Sequence, residues 1–496
     1  MMENPLFWSL AIPLIGSLAI VAVGRNANLR ETATLITAVA LFLTVAGITP
    51  DVFGGARPSL VFGTIFPGLD LFLKVEPLGM LFGLVASGLW IVNSLYSIGY
   101  MRGNNERNQT RFYFFFAISL ASAIGVAFAG NMLTLFVFYE ILTICTYPLV
   151  THSGTEEAVK SGRVYLGILM STSIGLLLLG IIWTWNAAGT LDFTPGGILK
   201  GKVSDGLIGV LLFLYMYGIG KAALMPIHRW LPAAMVAPTP VSALLHAVAV
   251  VKAGVFTVLK VIIYIFGIDL VNGTSASLLL AGIAAATLLI ASVVAMRKDN
   301  LKARLAYSTI SQLSYIILGA AIATGASVVG GGMHIVMHAF GKITLFFCAG
   351  AIYTAHHLTL VSELNGIGRK MPVTMIAFVV GALSIIGLPP MGGSLSKWHL
   401  MLGAAEGEQF IFIAVWMLSS ILSVAYLMPI VVRAFFRPLP APQSVGAAAA
   451  GGAGGGGIEE APLFCLIAIV ISAAGTFALF FAAGDIGQLL APLAKP

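Results

Sequence analysis

Long apolar runs separated by short polar segments extend along almost the whole chain. A helix needs about 20 apolar residues to cross the hydrocarbon core of a membrane. On that rule the pattern predicts fourteen membrane-spanning helices. Their approximate ranges are 6–23, 32–49, 78–100, 112–129, 131–150, 164–185, 206–225, 240–266, 276–296, 303–324, 328–354, 372–388, 409–432 and 462–484. The predicted fold is therefore an all-α polytopic membrane protein.

Two of the predicted spans contain an interruption. Span seven runs into "MPIHRWLP" and span twelve into "GLPPMGGSLSKW", and proline ends or kinks a helix because it lacks a backbone N–H. The stretch 50–76 contains glycine and proline and partly alternates, which predicts an outward hairpin. Residues 437–461 are rich in Gly, Ala and Pro, which is typical of a flexible inward linker.

The composition agrees with a membrane protein. Of the 496 residues, 59% are hydrophobic and only 9% charged, against about 25% charged in soluble domains. The three cysteines stand alone in apolar runs, which favours neither a disulfide framework nor a metal or iron–sulfur site. We therefore expect no bound cofactor and no metal ion. The first 23 residues lack a basic N-terminal region, so we interpret them as the first span rather than a targeting peptide.

The formal charge of +7 is explained by membrane orientation rather than by a nucleic-acid partner. With the N-terminus outside, the inward loops carry sixteen of the 26 Lys and Arg residues, while the outward loops and the C-terminus carry five. Positive residues concentrate on the inner side of membranes, so both termini are predicted to lie outside. The remaining five are lysines within or at the ends of apolar helices, at positions 221, 252, 260, 342 and 397.

Ionisable groups within spans are costly and usually mark ion or proton pathways. Glu140 is the only carboxylate well inside a predicted span, and Lys221 lies just before the interruption at Pro226. The two are candidates for a pair that exchanges a proton, because a buried lysine shifts its pKa readily. The alternatives without a role in transport are that Glu140 joins two helices by pairing with a lysine and that Lys221 reaches the membrane surface.

Span eight, "VSALLHAVAVVKAGVF", carries His246 and Lys252. Six residues of helix correspond to about 600°, so the two side chains point in different directions and are better successive stations than ligands of one site. A satisfied core histidine is an equal alternative for His246. Lys260 lies near the outer end of the span, where we expect it to reach the membrane surface.

A third cluster lies in "MHIVMHAFGKITLFF", where His334, His338 and Lys342 follow one another at intervals of four on one helix face. Two histidines at this spacing can bind a metal, but a nearby lysine repels a cation, and haem ligands normally come from opposing helices. A hydrated polar stripe through the centre of the protein explains these three residues better than a metal or haem site does.

Lys397 follows the second interruption, and Lys221 lies next to the first one, so the two lysines occupy comparable positions. Paired broken helices are a sequence indicator of inverted repeats in transporters. Lys302, at the inner end of span ten, and His228 are candidates for proton uptake, although Lys302 is equally explained as an interfacial anchor. The predicted proton path comprises Glu140, Lys221, His246, Lys252, His334, His338, Lys342 and Lys397.

Three segments also carry a family resemblance: "HRWLPAAMVAPTPVSALLHAVAVVKAG" (228–254), "LKARLAYSTISQLSYIILG" (301–319) and "GLPPMGGSLSKW" (387–398). They resemble the antiporter-like proton-conducting membrane subunits. That family includes Mrp-type cation/proton antiporters, the large pumping subunits of respiratory complex I and membrane-bound hydrogenases. The resemblance covers most of residues 75–435.

The resemblance implies two inverted five-helix repeats, formed by helices 4–8 and 9–13, each with a broken helix. It also implies that Glu140 and Lys221 are the essential pair of the family, that Lys252 or His246 is the central connecting residue, and that Lys397 is the terminal one. His334 and His338 match a histidine pair of part of the family. The resulting divisions are 1–111 (helices 1–3 and outward loop), 112–266 and 276–436 (the repeats), 437–461 (linker) and 462–496 (last helix).

The chain ends soon after the fourteenth helix, so we expect a D-type Mrp subunit rather than the largest complex I subunit with its long lateral helix. We predict a proton-translocating subunit of a multi-subunit Na⁺/H⁺ antiporter in a bacterial or archaeal plasma membrane, with other membrane subunits as partners. The alternative is the proton-pumping arm of a redox-driven complex, whose electron transfer would lie in partner subunits. An independent solute carrier is a weaker interpretation, because no carboxylate ring or aromatic cage supports it.

Overall fold

The computed structural model describes residues 3–438 and 457–494, apart from the side chains of Asp205 and His246. Most of the predicted linker, residues 439–456, lies outside the described residues. Helices dominate what is described, as the long apolar runs predict, because a helix satisfies every backbone polar group within its own segment.

The helices follow the predicted spans closely. They are α1 (Pro5–Ala22), α2 (Ala27–Phe53), α3 (Pro77–Gly103), α4 (Gln109–Phe128), α5 (Met132–Val150), α6 (Glu156–Ala188), α7 (Asp205–Gly218), α8 (239–266), α9 (Ser275–Arg297), α10 (Leu301–Ile322), α11 (Gly325–His356), α12 (Pro372–Ile386), α13 (Gly393–Glu406), α14 (Phe410–Phe436), α15 (Leu463–Phe481) and α16 (Ala483–Leu490). In the described part of the chain, eleven helices are long and apolar enough to cross a membrane, and α7 and α12 are shorter apolar helices. The prediction of a polytopic all-α membrane protein is confirmed.

The predicted hairpin is present between α2 and α3. Strands β1 (Ser59–Phe66) and β2 (Leu69–Lys74) pair antiparallel around a turn that contains Gly68, whose φ of +83° suits glycine. The Asn4 side chain donates a hydrogen bond to the Ser59 carbonyl, so the start of α1 lies at the same end of the bundle. We call this end the hairpin face.

Both predicted interruptions are present. Helix α7 ends at Gly218, a single 3₁₀ turn covers Gly220–Ala222, and helix resumes only at Trp230. Helix α12 ends at Ile386, and α13 begins at Gly393. The interruptions contain cis peptide bonds before Pro226 and Pro390. Each one leaves main-chain carbonyls unpaired within the helix, and these become acceptors for side chains.

Helix α8 is less regular than its sequence predicts. It contains π-helical turns at Leu244–Val248 and Val261–Phe266, and Ala249 between them is not helical. No proline or glycine marks the irregularity at Ala249, so the sequence pattern gives no warning of it. Such π-turns occur frequently at functional sites. The irregular turn lies three residues before Lys252.

Candidate functional site

Lys221 lies in the 3₁₀ turn of the first interruption and is fully buried. Its ammonium donates hydrogen bonds to the Tyr139 carbonyl at 2.8 Å and to the Thr143 hydroxyl, both on α5. The backbone N–H of Lys221 donates to the Tyr139 hydroxyl. The interruption therefore places an ammonium directly against one turn of α5.

Glu140 belongs to that same turn of α5. Neither of its carboxylate oxygens has a hydrogen-bond partner in the described part of the chain, although both are shielded from solvent. Within the described residues its carboxylate forms no ion pair within 4.0 Å, so it interacts with Lys221 across a gap rather than by contact. A buried carboxylate without hydrogen bonds is costly, which makes its charge responsive to its surroundings.

Lys252, on α8, contacts α11 directly. Its Nζ lies 2.5 Å from Nδ1 of His338, and both side chains are buried. An ammonium can only donate, so Nδ1 accepts when the lysine is charged. With a charged lysine the two groups therefore share one of its protons. This contact joins the helix that ends the first predicted repeat to a helix of the second.

His334 lies one turn before His338, with the two rings 5.9 Å apart. Its Nδ1 lies 2.9 Å from the Ser396 hydroxyl and its Nε2 lies 3.1 Å from Oε1 of Gln312. An amide oxygen only accepts, so Nε2 carries the hydrogen in this arrangement. Both ring nitrogens of His334 are engaged by protein groups, which disfavours the alternative of a metal held by the two histidines.

Lys342 follows one turn after His338 and is fully buried. It donates to the Ser308 hydroxyl at 2.7 Å, and that hydroxyl lies 2.9 Å from the Tyr426 hydroxyl. Tyr426 in turn lies 3.0 Å from the Ser423 hydroxyl. A line of hydroxyl groups on α10 and α14 therefore continues from Lys342, since each hydroxyl can both donate and accept.

Lys397, on α13, reaches back into the second interruption. Its ammonium donates to the carbonyls of Ile385 and Ile386 at 2.8 and 3.0 Å and to the Ser420 hydroxyl at 3.0 Å. It also lies 4.7 Å from the centre of the Tyr315 ring, and that ring stacks on His334 at 5.4 Å. The contacts therefore run from Lys252 to His338, His334, the Tyr315 ring and Lys397, whereas Lys342 turns to Ser308 instead.

The candidates for proton uptake lie towards the end of the bundle opposite the hairpin face. Lys302 donates to the Ala237 carbonyl at 2.6 Å and lines a cavity of about 300 Å³ together with Glu106. Glu106 is in the loop between α3 and α4, where burial raises the pKa of its carboxyl group and Lys302 partly offsets that effect. The ring of His228 lies 6.1 Å from that of Tyr307. The side chain of His246 is not among those that the structure describes.

Lys260 corrects one expectation. The sequence predicts that it reaches the membrane surface, but the side chain is fully buried. Its Nζ lies 3.0 Å from Oε2 of Glu76 and donates to the Ala129 carbonyl at 2.9 Å. No sequence signal points to Glu76 as a partner, because that residue precedes the predicted third span by two positions.

Gly254 holds α8 against the first interruption. A Cβ at this position would lie 2.4 Å from the backbone nitrogen of Ala222 and from the carbonyl carbon of Lys221. Backbone atoms cannot rotate away, so Gly254→Ala is expected to cost about 1–3 kcal/mol and to displace Lys221 from α5. The expected result is a lower unfolding temperature in detergent and a reduced initial rate of proton transport by vesicles.

Gly282→Ala, in α9, is the matched control, because nothing lies within 4 Å of a Cβ there. Alanine in an open helical position stabilises by up to about 1 kcal/mol relative to glycine. If both variants kept wild-type stability and transport, close packing of α8 on Lys221 would not be required.

The helical bundle, with its two interruptions and a line of buried lysines and histidines, has the antiporter-like fold of ion-translocating membrane proteins. Residues 129–423 match the family model described as NADH:quinone oxidoreductase/Mrp antiporter, transmembrane. This match extends over more than half of the chain. The chain therefore belongs to this family of multi-pass membrane proteins.

The relatives come from different complexes. NADH-quinone oxidoreductase subunit N of Desulforudis audaxviator is 33% identical over 83% of this chain and 82% of its own length. The D subunit of the Na⁺/H⁺ antiporter of Alkalihalophilus pseudofirmus is 26% identical over 88% of this chain and 87% of its own length. The chain spans only 52–62% of the longer NAD(P)H-quinone oxidoreductase subunit 5 relatives.

A chain from the Mrp complex of Dietzia sp. shares the fold. It superposes with a TM-score of 0.86 at 21% identity, covering 100% of this chain and 97% of that one. The expected family and fold are confirmed, and the relatives are subunits of multi-subunit membrane complexes.

Proposed function

We propose that this protein is a proton-translocating subunit of a multi-subunit Mrp-type Na⁺/H⁺ antiporter. The observation that supports a proton path most directly is the 2.5 Å contact between Lys252 and His338. It joins two buried titratable groups on different helices, next to further titratable groups on either side. A contact that only held two helices together would not require two titratable groups within hydrogen-bond distance of each other.

The residues act in a defined order in this proposal. A change of charge at Glu140 alters how strongly Lys221 holds its proton, because the two groups face the same turn of α5 without touching. Lys221 then passes its proton towards Lys252, and the Lys252–His338 pair passes it to the second half. His334 and Lys397 continue the path through the second half, with water bridging the gaps that exceed hydrogen-bond distance.

The proposed orientation places both termini outside a bacterial or archaeal plasma membrane. It is supported by the excess of basic residues in the loops on one side. The hairpin, the start of α1 and the last turn at 491–494 lie at one end of the bundle, which agrees with termini on one side. The two inverted repeats, 112–266 and 276–436, remain a proposal that rests on the paired interruptions.

The alternative is a pumping subunit of a redox-driven complex. It is favoured by the relative at 33% identity, which is an NADH-quinone oxidoreductase subunit. The same proton path serves either function, since the driving reaction would lie in partner subunits.

Purification of the tagged chain from its native membrane in mild detergent, followed by mass spectrometry, separates the two. Small hydrophobic subunits alone support the antiporter. Partners with iron–sulfur, flavin or nickel–iron centres support the redox-driven complex instead. A chain that purifies without any partner would contradict both.

Transport by everted vesicles that contain the whole complex tests the cation. Addition of Na⁺ is expected to dissipate a preformed pH gradient, while choline at the same concentration leaves it unchanged. Equal responses to the two salts would contradict Na⁺/H⁺ exchange.

A further inference from the structure

Glu76 and Lys260 form a buried charge pair, away from the line of residues described above. Glu76 is 3% exposed and Lys260 is not exposed at all. Lys260 also lies 4.1 Å from the centre of the Phe193 ring. Both side chains of this ion pair are buried in the bundle at the hairpin face.

A cavity of about 110 Å³ opens next to this pair at the hairpin face. A cavity needs roughly 10–15 Å³ of such volume for one water molecule, so this one has room for several. Its lining includes Arg57, Lys74, Glu76 and Tyr264, and the last turn of the described chain closes one side with Leu493. Glu76 therefore pairs with Lys260 and also lines this space.

The charges around the cavity select against a metal cation. Arg57, Lys74 and Lys260 contribute three positive charges against the single negative charge of Glu76. Neighbouring positive charges repel Na⁺. The cavity is therefore suited to exchange of protons with water rather than to binding of Na⁺.

Helix geometry connects the pair to the path. Lys260 lies eight residues after Lys252 on α8, which corresponds to about 12 Å along the helix axis. Thr257 lies between them, with its hydroxyl bonded to the Ala253 carbonyl. The same helix that carries the central station therefore leads to the hairpin face.

We propose that Glu76 and Lys260 form a proton-exchange site at the hairpin face, an inference that rests on the proposed proton-translocating function. The Lys260 ammonium transfers a proton to the Glu76 carboxylate, which leaves a neutral amine and a neutral carboxylic acid. The acid then releases the proton to water in the cavity and becomes a carboxylate again. The amine regains a proton from the Lys252 side, and the reverse sequence carries a proton from the cavity towards Lys252 during Na⁺/H⁺ exchange.

The test uses everted vesicles that contain the assembled complex. Glu76→Gln combined with Lys260→Met removes both charges together, so neither charge is left buried and unpaired. The expected result is an initial rate of proton transport lowered by at least about tenfold, with the complex still assembled on a native gel. Glu76→Asp keeps a carboxyl group and is expected to recover part of the rate.

Lys200→Gln is the matched control, because Lys200 forms an exposed ion pair with Asp269, 3.7 Å apart. It is expected to transport at the wild-type rate. Wild-type transport by the assembled double variant would overturn the proton-exchange site and leave the pair a structural contact. So would a Glu76→Asp variant that transports no better than the double variant.

If the double variant does not assemble, the wild-type complex provides a second test. A water-soluble carbodiimide, applied from the hairpin face, is expected to label Glu76 in peptide mass spectra and to stop transport in proportion. Transport that persists with Glu76 fully labelled, or the absence of labelling, would overturn the proposal. Glu140→Gln is measured in parallel. If Glu140→Gln transports normally, the proposed function fails. If Glu140→Gln is inactive while the Glu76 tests fail, only the proton-exchange site is wrong.

Discussion

Lys252→Met is expected to lower proton transport by at least about tenfold while the complex remains assembled. Methionine has a similar length but carries no proton, so the first half of the path loses its contact with His338. The effect on folding is expected to be small. The variant leaves one histidine nitrogen without its partner, at about 1–3 kcal/mol, but it also removes the cost of burying an ammonium.

The measurement is the initial rate at which Na⁺ dissipates a preformed pH gradient in everted vesicles, normalised to the amount of assembled complex. Lys370→Met is the control, because its ion pair with Glu459 is partly exposed, with 30% of the Lys370 side chain and 51% of the Glu459 side chain open to solvent. Normal transport by Lys252→Met would show that protons do not pass through the Lys252–His338 contact.

Glu140→Gln is expected to have an effect of the same size for a different reason. Glutamine keeps the shape of the side chain but cannot change its charge. The charge next to Lys221 therefore no longer varies, and it cannot alter how strongly Lys221 holds its proton. No ion pair is broken, because the carboxylate does not touch Lys221. Assembly is therefore expected to be unchanged, and the loss should appear in the transport rate alone.

Glu363→Gln, at an exposed glutamate between α11 and α12, is the control for the loss of one carboxylate. A Glu140→Gln complex that fails to assemble would support the interpretation that Glu140 joins helices. A complex that assembles and transports normally would remove Glu140 from the mechanism.

Much of the architecture could be predicted from the sequence because a membrane imposes simple rules. Apolar runs of sufficient length must be helices, so the predicted spans and the hairpin are present. The interruptions at Pro226 and at Pro389–Pro390 were also predictable, because proline removes a backbone donor. The buried lysines were recognisable as candidates because a charge in an apolar run is expensive.

The partners of those lysines were not predictable. Periodicity shows which helix face a residue occupies, but not which other helix packs against it. Nothing in the sequence therefore indicated that Lys252 meets His338 or that Lys260 turns inward to Glu76. The irregular turn at Ala249 was hidden for a related reason, because alanine and valine are compatible with regular helix. The hydroxyl groups of α10 were visible as a run, but their link to Lys342 depends on packing.

The carbonyls at the second interruption have a kinetic consequence. Ile385 and Ile386 accept hydrogen bonds from Lys397 through oxygens that carry no proton of their own. A neutral amine still has two hydrogens to donate, so the side chain keeps its anchors after it gives up a proton. In the proposed path, Lys397 therefore need not change its position before it takes up the next proton. The broken helix then holds the side chain in place, and we expect the arrival of protons rather than side-chain rearrangement to set the turnover of Lys397.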